Sequence, residues 1–180
     1  MVTDVTDRTE IDERYPIGRS RAPMSPADYP AMIDSIAEVP NALREAVRGL
    51  TEAQLDTPYR AGGWTLRQVA HHVPDSHLNA YVRFKLALTE DAPVIKPYDE
   101  ARWAALPDAR DEIEPSLRLL DALHERWVAV LRAMSTSDFE RTYMHPENGE
   151  TTLSTALGIY AWHGRHHVAH VTRLRLREGW

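Results

Sequence analysis

No cysteine occurs among the 180 residues. That excludes disulfides, cysteine-ligated zinc and a cysteine nucleophile, and it leaves histidine and carboxylates as the available metal ligands. No run of about 18 apolar residues exists, so no segment is expected to span a membrane. Positive charge is in deficit: 21 Lys and Arg stand against 27 Asp and Glu, a net charge of −6. Without a Lys/Arg stripe to meet phosphates, no nucleic-acid partner is expected. The stretch from Met1 to Arg14 is acidic and polar and lacks the basic and apolar regions of a signal peptide. A cytoplasmic protein is therefore expected.

What is present is ordinary for a globular chain, 43% hydrophobic and 27% charged. The length suits one domain with a real core. Residues 1–24 are polar and proline-punctuated, without apolar period, and read as an arm that is either disordered or wrapped on the domain or a partner. Residues 25–180 read as the domain.

Four amphipathic segments follow. The first, about Ser25 to Leu50, places Ile33, Ile36, Val39, Leu43, Val47 and Leu50 at helical spacing. Pro40 inside it predicts a kink or break. The second, about Thr65 to Leu88, opens on Thr65 with Gln68 three residues on, the pattern of a capping box. Pro74 lies inside it. The third, about Ser116 to Met134, carries Leu117, Leu120, Trp127, Leu131 and Met134 on one stripe. The fourth, about Leu153 to Glu178, is followed by Gly179 as a stop. No strand is expected; the alternation around Pro93 to Lys96 is brief and proline-broken. The fold expected is an all-α four-helix bundle. The long link from Thr89 to Pro115 carries Tyr98 and Trp103, with a short helix expected around Asp99 to Leu106. It reads as a lid or crossover beside a site.

Seven of the nine histidines fall in two short stretches, His71, His72 and His77 on the second helix and His163, His166, His167 and His170 on the fourth. His163 and His167 are four apart, about 40° of rotation on a helix, so both imidazoles point to one side and can grip one ion. His166 and His170 form a second such pair. Ala156, Ile159 and Tyr160 share the side of His163 and His167, which turns that pair toward the bundle and places His166 nearer its edge. His170 then falls one turn beyond, as a neighbour of the ligands. A third ligand must come from another helix. His72 is the best placed, since Ser76, Asn79 and Arg83 continue its stripe as the polar wall of a cavity, or else as a solvated face. His71 is turned about 100° away. His124 interrupts the apolar stripe of the third helix. It reads either as a core histidine satisfied by a polar neighbour or as a group that supports the ligands, or carries a proton, above the metal.

The runs Gly62-Gly63-Trp64-Thr65-Leu66-Arg67-Gln68-Val69-Ala70-His71-His72, Asp75-Ser76-His77 and Trp162-His163-Gly164-Arg165-His166-His167 resemble the DinB superfamily, in particular its YfiT-like metal-dependent hydrolases. Tyr15-Pro16-Ile17-Gly18, the segment from Tyr81 to Glu90 and Lys96-Pro97-Tyr98-Asp99-Glu100 look like the same branch. The resemblance spans about Tyr15 to Trp180, with Pro74 as a departure. It implies a four-helix bundle, usually a homodimer, holding a metal ion on three histidines that match His72, His163 and His167. One zinc or nickel ion per chain suits that set. The activity expected is metal-dependent hydrolysis of a small molecule, with Asp75 as general base or ligand-orienting group and Ser76, Asn79 and Arg83 as substrate contacts. Relatives also imply an alternative, an S-transferase that uses an external low-molecular-weight thiol. A third possibility is a metal-binding stress protein without catalysis.

Overall fold

The computed structural model describes residues 12–20 and 25–180. Among the described residues four long helices form the bundle: α1 (Tyr29–Val47), α3 (Leu66–Thr89), α5 (Glu114–Ala133) and α7 (Leu153–Glu178). Three one-turn helices, α2 (Glu52–Leu55), α4 (Glu100–Trp103) and α6 (Thr136–Phe139), sit in the connections. A hairpin of β1 (Thr142–His145) and β2 (Gly149–Thr152) precedes α7. Among the described residues no helix is long and apolar enough to cross a membrane.

The chain order is not the order around the bundle. α1 packs on α5 and α7, and α3 packs on the same two helices. Helices α1 and α3 are therefore diagonal, as are α5 and α7. Each diagonal crossing needs a long connection, and those connections hold α2 and the hairpin. The hairpin was not expected. Its four-residue strands pair antiparallel from Thr142 with Thr152 to His145 with Gly149. Strands this short show little alternation, so their pairing leaves almost no trace in the pattern. Pro93 to Ile95 runs alongside, with Ile95 N–H donating to Met144 C=O at 3.0 Å.

Local chemistry explains the helix limits. Thr65 Oγ1 accepts from Gln68 N–H at 3.1 Å, and the Gln68 side chain accepts from Thr65 N–H at 3.0 Å, a reciprocal cap that starts α3. Gly179 takes φ 75°, a left-handed conformation that ends α7. Helix α1 stops at Val47, short of Leu50, where Gly49 turns the chain at φ 73°. Pro40 and Pro74 both lie inside unbroken helices, where a bend or break was expected at Pro40. Both prolines are buried, so packing on each side offsets the lost hydrogen bond.

The apolar core forms two clusters. Ile36, Phe84, Trp127, Leu131 and Leu157 belong to one, and Val39, Leu43, Leu66, Val69, Leu120 and Leu174 to the other. In sequence the bundle histidines fall between residues of the two clusters: His77 between Val73 and Ala80, His124 between Leu120 and Trp127, His163 and His167 between Tyr160 and Val171. Gly164 permits the close approach of α7 to α1, since a Cβ there would lie 2.3 Å from Val39 Cγ2.

Candidate metal centre

Helix α3 presents His72 and helix α7 presents His163 and His167, and the three offer ligand nitrogens within 4.8 Å of one another. His72 Nε2 lies 3.3 Å from His163 Nε2. Ligand nitrogens at Zn–N ~2.0–2.1 Å on a tetrahedral ion are ~3.3–3.4 Å apart, so the spacing already suits one ion. Burial holds the imidazoles neutral. It pushes His72 down to about 4, with His166 adding to the effect. His163 and His167 are held well below the ordinary histidine value, by burial first and then by the neighbouring histidines. Neutral imidazole is the metal-binding form, so no proton has to leave at pH 7.

These rings face a cavity of about 370 Å³ whose wall includes Tyr59, Arg60, Trp64, Glu100 and Trp162. Trp64 packs on His72 at 4.6 Å between ring centres. Among the described residues Glu100 is the one carboxylate residue in the lining, and it arrives on α4 from the long link between α3 and α5. That link was read as a lid or crossover, and it does border the site.

His166, His167 and His170 form a second group able to hold a metal ion. It shares His167 with the first. A neutral imidazole has one lone pair, so His167 serves one ion, and the two groups exclude one another. His166 was expected near the edge, yet it is only 7% exposed. Trp162 stacks on it at 4.2 Å, and Tyr15 of the N-terminal segment covers it at 6.0 Å. The same segment is fastened by Trp162 Nε1–H donating to Gly18 C=O at 3.0 Å and by an ion pair of Arg177 with Glu13. His170 stacks on Tyr59 at 3.9 Å. Ile159, expected to point inward with Ala156 and Tyr160, is 39% exposed, because it lies off the axis that those two define.

Behind the cavity His163 Nδ1 lies 3.1 Å from His77 Nε2, and His77 Nδ1 lies 2.8 Å from His124 Nε2. His124 Nδ1 meets the Ile36 carbonyl oxygen at 2.8 Å. His124 is thus two hydrogen bonds removed from His163 and is buried in the bundle. His77 received no role from the sequence, although the signal was available. It interrupts the buried run Val69, Val73, Ala80, Phe84 of α3 just as His124 interrupts that of α5.

The other expected site residues divide. His71 faces away: its Nδ1 pairs with Ser116 Oγ at 2.7 Å and its Nε2 with Asp111 C=O at 3.2 Å. Ser76 is buried, with Oγ 3.5 Å from His163 Nε2. Asn79 donates its amide to Asp75 C=O at 2.9 Å. Arg83 lies within electrostatic reach of Tyr143 and Tyr160. Asp75 is half-buried; burial raises it to about 6, with Asp108 adding to the rise. Tyr98, from the long link, is pushed up to about 12, mainly by burial.

The pattern of the DinB superfamily matches residues 35–171. A Bacillus cereus (strain B4264) protein named "Putative metal-dependent hydrolase" is 54% identical over 171 residues, 94% of this chain and 99% of its own. A Bacillus thuringiensis subsp. konkukian protein with the same kind of name is 53% identical over the same shares. Among solved structures, YfiT from Bacillus subtilis superposes with a TM-score of 0.90 at 48% identity, over 94% of this chain and 99% of its own. It is described as a probable metal-dependent hydrolase with an unusual four-helix bundle topology. A more distant four-helix bundle protein, TT2238, shares the fold with a TM-score of 0.54 at 21% identity, over 84% of this chain and 99% of its own.

Proposed function

The chain belongs to the DinB superfamily, and on that premise we propose that it is a metal-dependent hydrolase of a small molecule, with His72, His163 and His167 as the ligands of one divalent ion. The observation that carries the reading is the 3.3 Å spacing of two neutral imidazole nitrogens from different helices at the wall of an open cavity. Three neutral ligands leave the ion's charge undiminished and a coordination position free, the composition of a catalytic rather than a structural site. When bound, such an ion would polarise a substrate carbonyl or phosphoryl oxygen and acidify a water to a pKa of about 7.

The residues around it have separable tasks. Glu100, on the cavity wall, is the proton acceptor of this proposal, because Asp75 is not among the residues that line the cavity and contributes instead to the polarity beside the site. Ser76 and the Tyr98 hydroxyl beside it hold polar substrate groups. Arg83 holds an anionic end. Trp64 keeps His72 in place and water away from its ring. Asn79, already bonded to its own helix, helps only after it exchanges that bond. Zinc and nickel both suit three imidazoles. A homodimer in the cytoplasm is the assembly and location proposed with this activity.

The test is turnover by metal-free and zinc-reloaded protein on a panel of esters, amides and phosphoesters, with and without an added low-molecular-weight thiol. Zinc-dependent hydrolysis without thiol is expected. Turnover that requires the thiol would replace hydrolysis by S-transfer, and silence across the panel in loaded protein would favour a metal-binding role without catalysis.

A further inference from the structure

We infer that His77 and His124 are positioning residues that fix the tautomer of His163, so that its Nε2 is held as a lone pair toward the ion. This rests on the three-histidine site proposed above.

Pro40 lies inside α1. A proline has no N–H, so the Ile36 carbonyl, four residues earlier in α1, loses its helical donor. His124 lies there, with Nδ1 at 2.8 Å from the Ile36 oxygen. A carbonyl can only accept, so Nδ1 of His124 carries the proton. In neutral His124 that leaves Nε2 as an acceptor, and it faces His77 Nδ1 at 2.8 Å. His77 must then donate from Nδ1 and accept at Nε2. That nitrogen faces His163 Nδ1 at 3.1 Å. His163 in turn donates from Nδ1, and its remaining nitrogen, Nε2, is left unprotonated, with the Ser76 hydroxyl 3.5 Å away. Nε2 is the atom 3.3 Å from His72 Nε2.

Only one direction is available. Reversing the chain would make His124 Nδ1 an acceptor against the carbonyl oxygen, with two lone pairs opposed at 2.8 Å, and would put a proton on the metal-binding nitrogen of His163. A chain with an acceptor-only group at one end therefore specifies the tautomer at the other, across all four long helices of the bundle. His77 and His124 are 0% and 2% exposed, so water does not substitute for either link. Metal-binding histidines generally fix the ring through the nitrogen that does not bind the ion, and loss of that partner costs ~10–100-fold in affinity.

The test has two readouts. In metal-free protein labelled with 15N-histidine, long-range 1H–15N correlation spectra should show His163, His77 and His124 all protonated on Nδ1, the tautomer that a free histidine side chain disfavours. A proton on His163 Nε2 would overturn the inference, whatever the protein hydrolyses. Zinc affinity, measured by competition with a chromogenic chelator, should fall ~10–100-fold in His77→Leu and recover for the most part in His77→Gln, whose amide oxygen can accept from His163 Nδ1–H. A folded His77→Leu protein that binds zinc like the wild type would also overturn it. If that variant does not fold, the spectra of the wild type decide.

Discussion

Gly164 stands between the two histidines that α7 contributes, and its replacement by alanine tests the helix contact that carries them. The added Cβ would lie 2.3 Å from Val39 Cγ2 and 2.9 Å from Cγ1. Val39 is 1% exposed and β-branched, so its side chain has no spare rotamer to retreat into. Alanine in a helix interior normally gains ~1 kcal/mol over glycine. Overpacking a filled core costs ~1–3 kcal/mol, and a required shift of more than an ångström belongs at the upper end. The net expectation is destabilisation of ~1–2 kcal/mol, or ~2–8 °C in Tm for a domain of this size. Urea and thermal unfolding followed by circular dichroism measure it. The Val39→Ala background sharpens the test. Alone, Val39→Ala loses two buried methyl groups, ~1.6 kcal/mol of transfer energy before any cavity cost. In the double variant the new methyl enters the vacated space, so the double variant should be more stable than Val39→Ala. Refutation would be Gly164→Ala more stable than wild type by the helix-propensity gain, because α7 and α1 would then not be in the close contact that sets the position of His163.

Acid should weaken the metal-free bundle. His72 and His124 are held neutral at about 4, against an ordinary 6.5. Below pH 6.5 the unfolded chain takes up protons that the folded chain refuses, so stability is lost as pH falls from 6.5 toward 4, at about 2 kcal/mol for each of the two at pH 5. An unchanged urea midpoint between pH 7 and pH 5 would contradict this. Glu100→Gln should lower kcat by ~10²-fold or more while zinc affinity stays as in the wild type, since the carboxylate is assigned to proton transfer. Asp75→Asn should cost less in the same assay, and the reverse ranking would exchange the two roles.

Much of the scaffold was legible because its signals are local. The Thr65–Gln68 cap, the Gly179 stop and the apolar stripes on α1 and α5 depend on residues three or four apart, and the helices begin and end within a few residues of the places they mark. His72, His163 and His167 were legible as neighbours because helical spacing sets their faces, and the structure brings their ring nitrogens together. What stayed hidden depends on contacts between distant segments. His166 looked peripheral because its cover, Tyr15, lies some 150 residues away in the chain. The role of Glu100 depends on the path of a link whose course no periodicity describes. His77 gained its meaning only with His124 and Ile36 in place, from two other helices, and the need for that carbonyl traces back to Pro40. The hairpin was missed because four-residue strands pair through backbone groups that every sequence has.

The central claim is the identity of the metal ligands, and metal stoichiometry measured by elemental analysis after reloading tests it most directly. Wild type, His71→Ala and His166→Ala should each retain one ion per chain, whereas His72→Ala and His163→Ala should retain none under the same dialysis. Full metal content in His72→Ala and His163→Ala, together with its loss in His166→Ala and His170→Ala, would move the ion to the second histidine group and contradict the account.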